Sequence, residues 1–160
     1  MRLGAILLVV PALVGCGGSS EVSGKALGIT FEKTRYAWFG GPFIVLSNIE
    51  TDCEAISFVR SNYEIGNAPT DDDMQLLQFG FASSDVTDGQ KSIAPTASVN
   101  ATVVKIDDGA FDFAYADGGV INVEELSEDR VTGTFEGVAF EDGSLDGDFD
   151  AEWCRNLKDR

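Results

Sequence analysis

Apolar and acidic residues alternate most strictly near the end of the chain. There, five apolar or small residues alternate with four acids, in the order Leu145, Asp146, Gly147, Asp148, Phe149, Asp150, Ala151, Glu152 and Trp153. Since successive side chains of a strand point to opposite faces, this pattern predicts a strand with one apolar face and one wet, acidic face. We therefore expect Leu145, Phe149 and Trp153 to lie in the core.

Strand-like runs follow one another through the second half of the chain, at residues 99–106, 111–115, 120–126, 131–140 and 145–153. Asp-Gly pairs, which suit tight hairpin turns, recur among them at Asp88-Gly89, Asp108-Gly109, Asp117-Gly118 and Asp142-Gly143. Phe111, Phe113 and Tyr115 also alternate with smaller or charged residues. Short connections between consecutive strands predict a five-stranded antiparallel meander.

The first half has shorter apolar runs, at residues 27–30, 34–39 and 43–48, and an alternating run at Leu77, Phe79 and Phe81. Residues 52–63 fit a short helix and a strand equally well. Residues 64–73 and 83–97 are polar and are predicted to be loops. The whole pattern predicts an all-β fold, an antiparallel sandwich of about seven to nine strands, with one domain over residues 23–160.

A short apolar run, residues 3–13, precedes the tetrapeptide Leu13-Val14-Gly15-Cys16. This segment resembles a bacterial lipoprotein signal peptide, whose lipobox ends in a cysteine. The resemblance implies that residues 1–15 are cleaved, that Cys16 carries covalent lipid such as palmitate, and that residues 16–22 form a flexible tether. By resemblance to enteric lipoprotein sorting rules, Gly17 rather than aspartate after the cysteine implies the outer membrane. A buried N-terminal strand and an ordinary secretory signal are the alternatives.

Acidic residues outnumber basic ones by 27 to 11, for a formal net charge of −16. Loss of Arg2 with the signal makes the charge of the mature chain −17. Such a chain is not expected to bind nucleic acid through phosphate neutralisation, and anionic lipid headgroups should repel it.

Three cysteines are present, and lipid at Cys16 leaves Cys53 and Cys154. Because an exported chain meets an oxidising compartment, these two are expected to form a disulfide; two buried free thiols are the alternative. No histidine occurs in the chain, and two cysteines at this spacing do not form a zinc pattern. We therefore predict no metal cofactor.

The nearest match to a metal motif begins at Asp142. Asp142, Ser144, Asp146 and Asp150 occupy four positions of a calcium-loop pattern, but Trp153 stands where the pattern requires glutamate. A strand would also spread these acids too widely for one cage. A solvated acidic face is the preferred interpretation, and repulsion between its like charges predicts raised pKa values there.

No catalytic motif stands out, and without histidine the common nucleophilic triads are excluded. The chain resembles the small, uncharacterised β-rich lipoproteins of bacterial envelopes in its lipobox, Val131-Thr132-Gly133-Thr134-Phe135, Gly147-Asp148-Phe149 and Cys154. Beyond the lipobox this resemblance implies no particular activity. With no catalytic motif in the chain, we expect a membrane-anchored, non-catalytic module that binds a protein or glycan partner. The alternatives are a β-barrel carrier of a small apolar ligand and a carbohydrate-active enzyme with paired carboxylates.

Overall fold

Eleven strands and one α-helix make up the part of the chain that this computed structural model describes, residues 18–32, 36–49, 52–62, 73–107 and 110–157. A single turn of 3-10 helix, Arg155–Leu157, follows the last strand. In chain order the elements are β1 (Ser19–Ala26), β2 (Ile29–Phe31), β3 (Tyr36–Gly40), β4 (Phe43–Ser47), α1 (Cys53–Asn62), β5 (Met74–Phe81), β6 (Gly89–Ser92), β7 (Val99–Asp107), β8 (Ala110–Tyr115), β9 (Gly118–Leu126), β10 (Arg130–Phe140) and β11 (Gly143–Trp153).

All eleven strands belong to one hydrogen-bonded sheet, in the order β6-β9-β10-β11-β3-β4-β5-β7-β8, with β1 paired to β11 and β2 paired to β1. Every pair of neighbouring strands is antiparallel except β11 and β3, which run parallel over a short stretch that ends with Trp153 opposite Phe39. The sheet is therefore mixed, although it is mostly antiparallel.

The sheet curls until strands near its two ends meet. Ile93, just after β6, forms an isolated parallel bridge with Val99 of β7. The chain between β8 and β9 makes two more links, because Ala116 N–H donates to Ala101 and Asp117 N–H donates to Ala139. These bonds join β7 to the β9–β10 side of the sheet.

The concave face of this curled sheet encloses the main core. Phe79 lies at its centre, with ring centroids 5.1 Å from Phe135 and 6.5 Å from Phe149. Phe135 and Phe149 each lie opposite a glycine of the neighbouring strand. A Cβ at Gly147 would come within 2.6 Å of the Phe135 ring, and one at Gly133 within 2.7 Å of the Phe149 ring. The aromatic rings therefore fill the space above these glycines.

A second, smaller core lies on the convex face, where α1 and the 3-10 turn pack against β3, β4, β5 and β7. Its buried members are Trp38, Val45, Ile56, Met74, Leu76, Val104, Ile106, Cys154 and Leu157. Asp52 caps the helix, since its carboxylate accepts a hydrogen bond from Ala55 N–H at 2.7 Å. No helix of the described residues has the length and apolar character needed to cross a membrane.

The all-β class and its mostly antiparallel pairing are confirmed. The strands form one curled sheet of eleven rather than a sandwich of seven to nine. Two strands lack an apolar alternation that would have marked them: β6 is the polar segment Gly-Gln-Lys-Ser inside a predicted loop, and β1 begins inside the predicted tether. Between the helix and the strand predicted for residues 52–63, the structure has the helix.

The five-stranded meander is wrong at one connection. The strands β9, β10 and β11 are consecutive neighbours, and β7 and β8 form a hairpin, but β8 does not pair with β9. The reason is the closure of the sheet, which places the Asp117-Gly118 segment across from β10 instead of in a hairpin turn. Phe113 and Tyr115 consequently lie on the convex face and are exposed.

The tether predicted for residues 16–22 is also wrong from Ser19 onward. Ser19, Glu21 and Ser23 lie opposite Asp150, Asp148 and Asp146 of β11. Ser20 and Val22 are buried between them. This segment has few apolar residues, and it forms a strand because its backbone pairs with β11 while Ser20 and Val22 turn inward.

Candidate functional site

Cys16, the predicted lipid site, lies outside the described residues, as does the signal segment 1–15. The description begins at Gly18, whose carbonyl accepts a hydrogen bond from Ala37 N–H at 3.2 Å. Ser19 then opens β1 opposite Asp150. The first described residue is thus two positions after the predicted anchor.

Cys53 and Cys154 form the predicted disulfide, with Cα atoms 5.3 Å apart. Cys53 is the first residue of α1 and is partly buried, whereas Cys154 follows β11 and is fully buried. Cys154 is also fixed by its N–H, which donates to Phe39 at 2.7 Å. The bond therefore attaches the helix to the end of β11, over the second core.

The structure does not bring the acids of the calcium-like segment together. Asp142 lies in the turn between β10 and β11, and its carboxylate accepts hydrogen bonds from Leu27 N–H at 2.9 Å and Gly28 N–H at 2.7 Å. Lys25 lies 3.8 Å away. The Gly28 bond contributes most to lowering the pKa of Asp142, and Leu27 and Lys25 lower it further. Asp142 therefore has a structural role in joining two turns.

Asp146 and Asp150, further along β11, have other partners. Asp146 accepts a hydrogen bond from Gly137 N–H at 2.8 Å, and Ser144 is exposed at the start of the strand. Asp150 forms a two-bond ion pair with Arg130 of β10. Within the described residues, no group of three or more Asp, Glu, Cys or His side chains is close enough to hold a metal ion.

The Arg130–Asp150 pair corrects the expectation of a uniformly repulsive acidic face. The guanidinium hydrogen bonds lower the pKa of Asp150, an effect that burial only partly opposes. The same contact raises the pKa of Arg130. Alternation along β11 identified the acids that share a face but gave no information about the cation that β10 places among them.

An open cleft of about 490 Å³ surrounds this ion pair. The start of β1, the β9–β10 turn and the end of β11 form its walls, through Gly18, Ser19, Asp129, Arg130, Asp150, Glu152 and Trp153. Its position follows from pairing, because Arg130 lies opposite Glu152 on β10 and β11, while Ser19 lies opposite Asp150 on β1 and β11.

Trp153 separates this cleft from a second depression of about 440 Å³. The second depression is lined by Phe39, Gly41, Asp85, Val86, Leu126, Ser127, Glu128 and Trp153. Trp153 is 37% exposed and Leu126 is 43% exposed. The Trp153 ring contacts buried Phe39 edge-on, with centroids 5.2 Å apart. Trp153 was expected in the core; it is instead the last residue of β11, beyond the enclosed part of the sheet.

We call the region that contains the two depressions the Trp153 end. Its lining includes Gly18, Leu126, Arg130 and Trp153. Sequence reasoning missed it as a site. Its residues lie far apart in the chain, and only the pairing of β9, β10, β11 and β1 brings them together.

The cleft also bears on the carbohydrate-active alternative, which needs one carboxyl group to stay protonated as a general acid. The cleft does contain the acids Asp129, Asp150 and Glu152. The pKa of Asp150 is lowered by Arg130, however, which is the opposite of what a general acid requires.

Comparison of the chain with protein-family models, with curated proteins and with solved structures found no match.

Proposed function

We propose that the protein is a lipid-anchored lipoprotein of the bacterial cell envelope, held at the outer membrane through Cys16, and that it acts as a non-catalytic binding module. The observation that carries the proposal is the lipobox Leu13-Val14-Gly15-Cys16 directly before a domain whose first strand begins at Ser19. Cleavage before Cys16 would remove the apolar segment and leave the described strands, the first of which begins at Ser19, intact.

The Cys53–Cys154 disulfide supports an exported location. Disulfides persist in oxidising compartments such as the periplasm and are rare in the cytosol. The pairing also leaves Cys16 as the one cysteine of the three that is not committed to the disulfide.

The packing of the core supports a binding surface over an internal carrier site. A carrier of small apolar ligands holds its cargo inside the sheet. Here Phe79, Phe135 and Phe149 occupy the middle of the concave face, and two of these rings lie directly over glycines. A partner would therefore meet the convex surface, including the acidic face of β11.

The test is covalent lipid at Cys16. Cells expressing the full chain are labelled with radioactive palmitate, and the mature protein is analysed by mass spectrometry. We expect label and a lipid-modified N-terminal cysteine in the wild type, and neither in Cys16→Ala, which should accumulate as an uncleaved or soluble product.

The double variant Cys53→Ala/Cys154→Ala is the matched control, because it removes the other two cysteines and keeps the lipobox. It should retain label in proportion to the protein present. A mature protein with an unmodified Cys16, or label that follows Cys53 or Cys154, would contradict the proposed anchor.

A further inference from the structure

Chain length limits how far the domain can lie from its proposed anchor. Cys16 and Gly18 are two residues apart, which a fully extended chain spans in about 7 Å. Gly18 is fixed against two strands: its carbonyl bonds to Ala37, and a Cβ at Gly18 would come within 1.9 Å of the Asp150 carbonyl oxygen. A lipid on Cys16 would therefore hold the surface around Gly18 against the membrane.

That surface exposes the residue types found at membrane interfaces. Gly18 lines the same cleft as Trp153, and Trp153 shares the second depression with Leu126. Tryptophan is enriched where protein meets the headgroup layer, because its ring is apolar and its N–H is polar. Both side chains keep more than a third of their surface exposed at this end of the domain.

The charges around the two depressions indicate which lipids this end accepts. The rim contains Asp85, Glu128, Asp129, Asp150 and Glu152, and its cation Arg130 is already paired with Asp150. Such a rim is repelled by anionic headgroups and tolerates zwitterionic ones.

We propose that the Trp153 end is the membrane-contacting surface of the lipidated protein, with Trp153 and Leu126 in the interfacial layer of zwitterionic phospholipid. The inference rests on the proposed function, since it requires the lipid at Cys16. It assigns the domain one orientation on the membrane and leaves the opposite end of β10 directed away from it.

The experiment uses the mature protein, purified from membranes and reconstituted into phosphatidylcholine nanodiscs with bromine-labelled acyl chains, which quench nearby tryptophan. The chain has two tryptophans, and Trp38 is buried at 4% exposure. The fluorescence of Trp153 is therefore the difference in tryptophan emission between the wild type and Trp153→Phe. We expect most of that difference to be lost in brominated discs.

Tyr115→Trp in the Trp153→Phe background is the matched control. Tyr115 is 55% exposed and lies next to the Ala116–Asp117 segment, which bonds to Ala139 at the other end of β10. Ala139 is nine residues beyond Arg130, roughly 25–30 Å along the strand. A tryptophan at this position should keep its emission.

The quenching at position 153 and in the Tyr115→Trp control together decide the orientation. Quenching at position 153 without quenching in the control supports the orientation. No quenching at position 153, or equal quenching in both proteins, overturns the orientation. If mass spectrometry of the same sample still finds lipid on Cys16, the proposed function stands. Absence of that lipid overturns the proposed function and the orientation together.

Lipid composition tests the charge argument separately. Replacing half of the phosphatidylcholine by phosphatidylglycerol should reduce the quenching of Trp153 at low salt, and added sodium chloride should restore it. Quenching that does not change with phosphatidylglycerol would overturn the assignment to zwitterionic lipid.

Discussion

The carboxylate of Asp142 accepts a hydrogen bond from the backbone N–H of Leu27, 115 residues earlier in the chain. Gly28 donates a second bond to the same group. Leu27 and Gly28 form the β1–β2 turn, and both have positive φ angles, 54° and 72°. A positive φ is costly for leucine, so the turn needs support from outside. Asp142 supplies it and joins two hairpins at one end of the sheet.

Asp142→Asn should destabilise the protein at neutral pH and lose that effect in acid. The folded pKa of Asp142 is lowered, so its carboxylate contributes stability that is fully present above the unfolded pKa of about 3.9 and is lost as the pH falls through the folded value. Melting temperatures of the wild type and the variant should therefore differ at pH 7 and converge as the pH falls below about 4.

Asp148→Asn is the control for this comparison, because Asp148 is exposed on β11 and loses the same charge. It should leave the melting temperature at pH 7 nearly unchanged or slightly raised. If Asp142→Asn were equally destabilising from pH 7 to pH 2.5, the contribution of Asp142 to stability would come from the shape of its side chain and not from its charge.

Opening the Cys53–Cys154 bond should lower the free energy of unfolding by about 2–5 kcal/mol, because the bond closes a loop of about 100 residues in the unfolded chain. Urea unfolding of Cys53→Ala/Cys154→Ala measures this directly. The double variant avoids the unpaired thiol that a single one would leave. A loss below about 0.5 kcal/mol would show that the bond adds little to the second core.

Gly147→Ala should destabilise strongly because the new methyl group has no room. Its Cβ would lie 2.1 Å from the Glu21 carbonyl oxygen and 2.6 Å from the Phe135 ring. Such overpacking costs about 1–3 kcal/mol or more.

The matched control for this change is Gly118→Ala, also in a strand, where nothing lies within 4 Å of the new Cβ. Its effect should stay within about 0.5 kcal/mol. Urea unfolding compares the two, and equal stabilities would mean that Phe135 does not pack over Gly147.

Alternation along a strand predicts which side chains share a face, but not which face is enclosed. It correctly assigned Leu145 and Phe149 to the core and the acids of β11 to the opposite face. For Phe113 and Tyr115 the shared face is the convex one, because β8 lies outside the closed part of the sheet. Trp153 is exposed because β11 ends there.

The other contacts of the candidate site depend on which distant strands pair, and the local sequence pattern does not encode that pairing. The Arg130–Asp150 ion pair needs the register of β10 against β11, and the Asp142–Leu27 bond needs β1 beside β11. The disulfide was predictable because chemistry and compartment, rather than pairing, argued for it. The strand β1 was missed because its apolar residues are few and its flanks are glycine and serine.

Sodium and calcium chloride at matched ionic strength should raise the melting temperature by similar amounts. Exposed like charges remain on β11, and salt screens charges separated by more than about 8–10 Å at physiological ionic strength. Calcium should add nothing specific, because Asp142, Asp146 and Asp150 are each bound to a different part of the chain: the β1–β2 turn, Gly137 and Arg130. Differential scanning calorimetry in the two salts makes the comparison, with Asp146→Asn as a variant that removes the middle acid of the segment. A sharp rise in melting temperature at micromolar calcium, absent with sodium and abolished by Asp146→Asn, would mean that these acids leave their present partners to hold the ion.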